Sequence, residues 1–236
     1  AAQDGVTTAN GVSVVTPAAE ALGAPAAGRV LPTRAELATV LPWPGLRRGS
    51  TVAVHGSAAL LFALLSEATA NGSWAAAVGL PGLGLVAAAE AGVEVSRLAL
   101  VPRPGTELVN VVAALLDGVD LVAVGSPWRL AESEARRLSA RARHRGAVLL
   151  PCDTRSGTRP DAGWPGVDVR LRCTDARWSG PESGYGHLRS REITVRADGR
   201  GAASRPRSCR LVLPDRDGAV SEPSTARRPV LRAVAG

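Results

Sequence analysis

Gly56 and Ser57 stand between a β-branched run, TVAVH (51–55), and an apolar run, AALLFALLSEA (58–68). Strand, glycine turn and helix make the layout that cradles phosphates. Backbone N–H groups point at the anion, a lysine reaches the terminal phosphates, and a Ser or Thr hydroxyl holds magnesium. Here the turn reads Gly56-Ser57-Ala58-Ala59 and runs directly into Leu60, Leu61 and Phe62. Apolar side chains occupy the places of the cation and the hydroxyl. The chain contains no lysine at all, and each of its 28 basic residues is Arg. Schiff-base, lysine-base and P-loop-lysine chemistry are thereby excluded. Only the helix dipole is left to attract an anion.

Other chemistries fare no better. GLGLVA (82–87) matches G-x-G-x-x-A after a strand, but no acidic residue ends the following strand to hold a ribose. G-x-S-x-G is missing, and His55 and Ser57 are neighbours only along the chain, across a strand-to-turn junction that does not orient them as base and nucleophile. Cys152, at a strand's C-terminal end, is the best-placed nucleophile, yet no His or acid can be assigned to it. Cys152, Cys173 and Cys209 are scattered, with no CxxC, and the histidines are His55, His144 and His187. That pattern argues against a metal site and for a reducing compartment. We expect no catalytic residue, no metal and no cofactor.

The elements that would position such residues follow from the pattern of apolar runs. From Thr51 onward, strands and helices alternate through GAVLLP (146–151), and the strands are continuously hydrophobic. That is the signature of a parallel sheet covered on both faces. Aromatics are 3% of residues, so the core must be Ala, Val and Leu. After residue 150 the segments GVDVRLRC, HLRSREITVRA and SCRLVLP alternate outward Arg with inward Val, Leu or Ile, as antiparallel strands continuing the sheet edge do. Thr33 and Glu36 have the spacing of a capping box for a short helix. The chain therefore divides into an N-terminal arm (1–30), an α/β domain (31–215) and a basic tail (216–236). No run reaches the length of a membrane span, and no basic-then-apolar leader pattern is present, so we expect a cytoplasmic protein.

Charge is unevenly placed. Residues 1–100 carry 5 Arg against 6 acids, and residues 101–236 carry 23 Arg against 15, giving −1 and +8. A basic second half points to an acidic or polyanionic partner, or to a solvated Arg-rich surface. The candidate contacts are Arg136, Arg137, Arg141, Arg143 and Arg145 on one helix, with Ala131, Ala135, Leu138 and Ala142 as its buried stripe. To these we add Trp164, Trp178, Tyr185, Arg189 and Arg191 in loops and strands, and Arg227, Arg228 and Arg232 in the tail. Trp, Tyr and Arg together suit either single-stranded nucleic acid or a protein interface.

One stretch carries a resemblance. AAAEAGVEVSRLALVPRPGTELVNVVAALLDGVDLVAVGS (87–126) resembles the core of RecA recombinases, whose last strand here ends in an Asp-Ser pair with the Asp on magnesium. The matching pair in this chain is Gly125-Ser126. The recombinase's catalytic Glu falls at about Leu80, and the phosphate-loop lysine within Ala59 to Phe62. Together with LPWPGLRRGS (41–50), WAAAVGLPGLGL (74–85) and GHLRSREITVRADGRG (186–201), the chain looks like the actinobacterial ImuA-type RecA-like accessory proteins of the mutasome. The resemblance covers roughly residues 30–215. It implies a RecA-like fold, translesion synthesis after DNA damage, and two protein partners. These are an ImuB-type Y-family-like polymerase adaptor and, indirectly, an error-prone replicative-type polymerase; DNA is a third possible contact. The alternatives are an ATP-dependent RecA-like DNA-binding protein and a protein regulator such as a cell-division inhibitor.

Overall fold

The computed structural model describes residues 8–9, 12–13, 29–125, 130–154, 164–180 and 187–223. Its centre is an eight-stranded sheet built from β1 (Val52–His55), β2 (Ala75–Val78), β3 (Leu98–Val101), β4 (Leu121–Gly125), β5 (Val148–Asp153), β6 (Val169–Ser179), β7 (Ser190–Gly199) and β8 (Arg207–Val212). The order is β8-β7-β6-β1-β5-β4-β2-β3. All pairs from β3 across to β6 are parallel, and β6-β7 and β7-β8 are antiparallel. The expected architecture is present: a mostly parallel sheet, helices on both faces, antiparallel strands added at one side. One detail differs. β6 has the alternating pattern of an edge hairpin, yet it pairs parallel to β1 on one side and antiparallel to β7 on the other.

Two clusters of buried side chains hold the layers. On one face, α2 (Ala58–Ala70) lies against Val52, Val54, Ala75, Ala77, Leu121, Ala123, Val148 and Leu150. α2 is apolar nearly all round, as a helix enclosed on every side must be. Leu60, Leu61, Leu64 and Leu65 have no exposed surface. Its outer side is covered by the short α1 (Ala35–Ala38), by Leu41 and Leu46, and by α3 (Leu85–Glu90). On the other face, α4 (Leu108–Leu116) and α5 (Glu132–Arg145) pack over Val78, Val122, Val124 and Leu149. The alanines of β2 let these layers approach closely without aromatic filling. Among the described residues, no helix is long and apolar enough to cross a membrane.

Two local expectations are corrected. Thr33 does not cap α1; the helix begins one residue later, Arg34 holds the cap position without a side-chain bond, and the Thr33 hydroxyl is buried with no hydrogen-bond partner among the described residues. Ala131 is not in the buried stripe of α5. It is exposed at the N-cap, where its N–H donates to the Glu134 carboxylate at 2.8 Å, while Ala135, Leu138 and Ala142 face the core.

Candidate functional site

At the carboxyl end of β1 only Gly56 and Ser57 separate strand from helix. A phosphate-binding loop of the G-x-x-x-x-G-K type spans about five residues there. Gly56 takes φ +86°, and its N–H donates to the Asp153 carbonyl at 2.8 Å. A Cβ on Gly56 would lie 3.2 Å from the Cys173 carbonyl oxygen, so β6 closes over the turn. Ser57 is 2% exposed, and its hydroxyl accepts the Leu60 N–H at 3.3 Å, capping the helix from within. Ala58 and Ala59 pack against the core directly after it.

The neighbouring strand ends are closed as well. A Cβ on Gly125 would sit 2.3 Å from the Gly79 carbonyl oxygen and 2.7 Å from the Leu80 Cδ2. No carboxylate for magnesium fits at 125 while β2 and β4 keep this spacing. Leu80 lies partly buried over Gly125 and carries no acid or base. Ser126 lies outside the described residues. The residues present do not fit a nucleotide triphosphate and its metal, and no chemical step is derived through one. Among the described residues, no cluster of His, Cys, Asp or Glu is placed to hold a metal ion.

The remaining reactive groups are muted by their surroundings. His55 lies between Asp153 on β5 and Arg172 on β6. Burial lowers its pKa first, and the charges of Arg170 and Arg172 lower it further against Asp153 and Asp198. Cys152 is 1% exposed and donates to the Leu150 carbonyl at 3.0 Å, and burial drives its pKa far up. Burial also pushes the Cys173 thiol up to about 11 and raises Cys209. None is a thiolate nucleophile at neutral pH.

The arginines expected on α5 divide by role. Arg141 forks onto both oxygens of Asp117 at the end of α4, and Arg145 joins the same carboxylate at 3.0 Å. Arg136 pairs with Glu132 one turn earlier. Arg137 and Arg143 are exposed and make no ion pair among the described residues. Trp164 corrects its expectation: it is 2% exposed, and its indole N–H donates to the Ser139 hydroxyl at 2.7 Å in the α5 layer. It is a core residue and offers no ring to a ligand.

Trp178 and Arg191 do come together. β6 and β7 run past the carboxyl end of β1 as a two-stranded ribbon, kinked by a register shift between Thr174 and Arg177, with Asp175 at φ +54°. Trp178 opposes Arg191 on it, the guanidinium carbon lies 5.7 Å from the ring centroid, and the ring is 48% exposed. Arg189 is exposed beside it. Tyr185, Arg227, Arg228 and Arg232 lie outside the described residues.

A further group was visible only as an alternation. Arg170, Arg172, Arg196 and Arg210 share the face of β6–β8 opposite α2, and Arg172 is directly across from Arg196. Like charges so placed oppose pairing. Asp198 offsets them by reaching Arg170 at 3.4 Å and Arg172 at 3.2 Å.

This architecture defines the class: a RecA-like α/β fold whose turn at Gly56–Ser57 and strand ends at Gly79 and Gly125 are closely packed. The fold is similar to the crystal structure of the RadB recombinase, with a TM-score of 0.57 and 15% identity, covering 79% of this chain and 96% of that one. The chain belongs to the MT3502 N-terminal domain family, which matches residues 39–158. It is also similar to uncharacterized protein Rv3395c of Mycobacterium tuberculosis (strain ATCC 25618 / H37Rv), at 37% identity over 160 residues, 64% of this chain and 74% of that protein.

Proposed function

We propose that this protein is a non-catalytic accessory factor of damage-induced translesion synthesis, of the ImuA type, that joins an ImuB-type Y-family-like polymerase adaptor to DNA. The observation that carries the reading is the two-residue turn Gly56–Ser57 on an otherwise complete RecA-like sheet. A scaffold kept without room for the nucleotide retains its surfaces as its use. The exposed Trp178–Arg191 pair and the exposed arginines Arg137, Arg143 and Arg189, without an ion pair among the described residues, are the side chains suited to such contacts. Phosphate contacts made by arginines weaken steeply as salt rises.

The test is a tagged pull-down from DNA-damaged cells with nuclease treatment, using the full chain and a chain ending at Glu222. Recovery of a Y-family-like polymerase by the full chain alone places the contact in the tail, and recovery by both places it in the folded body. Recovery by neither rejects the reading.

A further inference from the structure

The outer side of β8 carries an incomplete ladder. Val212 and Ser221 exchange both backbone bonds, Val212 N–H to Ser221 at 2.9 Å and Ser221 N–H to Val212 at 3.1 Å. On the inner side, the Leu213 N–H donates to Arg191 on β7 at 2.6 Å. Because backbone groups alternate along a strand, Arg210 and Ser208 turn their N–H and C=O outward with Val212. Among the described residues nothing pairs with them. The returning chain does not finish the ladder: continuing the register sets Pro223 opposite Arg210, and proline has no N–H to give.

Beside this edge lies a groove of about 420 Å³, lined by Glu36 and Thr39 from α1 and its C-cap, Cys209, Arg210 and Leu211 from β8, and Glu222 with Pro223. The Glu36 and Glu222 carboxylates make no ion pair or hydrogen bond among the described residues. Two acids thus share one rim on a chain of net charge +7. Arg210 does not neutralise them, because its guanidinium lies toward Glu192 at 3.9 Å.

We propose that the β8 edge receives an extended segment of a partner protein, adding as a ninth strand and setting a basic side chain between Glu36 and Glu222. An unpaired edge recognises extended backbone, and the pocket beneath it selects the alternate side chain. The carboxylates repel phosphates, so a nucleic acid does not fit here. The inference goes beyond the polymerase-adaptor reading and does not depend on it.

The experiment uses the full chain and two synthetic eight-residue peptides of alternating Val and Thr, one with a central Arg and one with a central Glu. Binding is read by fluorescence anisotropy and by amide hydrogen exchange. The Arg peptide is expected to protect the Ser208 and Arg210 amides and to bind at least about tenfold more tightly than the Glu peptide. Glu36→Gln with Glu222→Gln should erase that preference. Ser208→Pro removes only an outward N–H, which edge strands tolerate, and should abolish binding at an unchanged melting temperature, while Ser208→Ala binds normally. Equal binding of both peptides, no protection at Ser208 and Arg210, or undiminished binding by Ser208→Pro would overturn the proposal. Protection that grows with protein concentration in the absence of peptide also overturns it, since the occupant is then a second copy of this chain.

Discussion

Gly125 and Gly79 meet backbone to backbone across the ends of β4 and β2, and the oxygen of one occupies the space where a side chain of the other would begin. The contact explains why both positions are glycine: Gly79 takes φ +69°, and Gly125 has no room for a Cβ. It also seals the place where a metal-binding carboxylate would project.

Gly125→Ala should therefore destabilise the chain by about 2–3 kcal/mol, because backbone cannot move aside as a flexible side chain can. Gly82→Ala, whose added methyl meets nothing within 4 Å, should stay within about 0.5 kcal/mol of the parent. Urea unfolding of both variants checks the contrast, and an unchanged midpoint for Gly125→Ala would refute the contact.

Trp164 and Trp178 should separate cleanly. Trp164→Ala removes a buried ring and leaves the Ser139 hydroxyl unpaired, at a cost of about 3–5 kcal/mol. Trp178→Ala removes a half-exposed ring and should shift stability by less than about 0.5 kcal/mol. Thermal melts of the two variants decide it.

Much of this was readable before the fold was known. The βα alternation from Thr51 to Pro151 stood out because each buried strand is a continuous apolar run bounded by turn residues. The parallel β6–β1 pairing was hidden, since alternation records only that one face is open and says nothing of the neighbour. Trp164 misled because it sits in a Gly- and Pro-rich stretch; the signal against exposure was Ser139, a buried hydroxyl placed beside Leu138 on the apolar side of α5. The residue types at 56–59, 80 and 125 were legible one by one. The closeness of Gly79 to Gly125 was not, because it joins positions 46 residues apart.

Thiol labelling should follow burial. At neutral pH an alkylating reagent should modify Cys209 first, Cys173 more slowly, and Cys152 only on unfolding. Raising the pH toward 10 should quicken Cys173 as it approaches its value of about 11. Peptide mass mapping over time reads the order, and prompt modification of Cys152 would contradict it.

The hydrogen bond from Arg141, and then the charges of Arg141 and Arg145, hold the Asp117 carboxyl below its ordinary range. A folded-state pKa below the unfolded one contributes stability above the ordinary carboxylate pKa and loses it as pH falls through the depressed value. Asp117→Asn should thus melt slightly earlier than the parent at neutral pH and low salt. The two curves should converge in acid, and also in high salt, because the pair is exposed. A difference that persists in acid would assign the effect to something other than this charge.

His55 should titrate below the usual histidine range, so the neutral ring is the folded form at pH 7. Since the unfolded chain binds that proton more readily, this site costs stability as pH falls below about 6.5. Arg170→Gln should move the His55 NMR midpoint upward without restoring it fully, because burial is the larger cause. An unmoved midpoint would remove Arg170 from the account.

The shortness of the turn at Gly56–Ser57 bears on what mutation can reach from here. A lysine placed at Ala59 would arrive on a helix already begun, with no arch of amides in front of it. An aspartate at 125 would first have to prise two backbones apart. Building phosphate chemistry here would require an insertion, a new cation and a re-spaced sheet together, and each alone brings cost without gain. Single exchanges therefore leave this turn closed, while the surfaces around it are free to change.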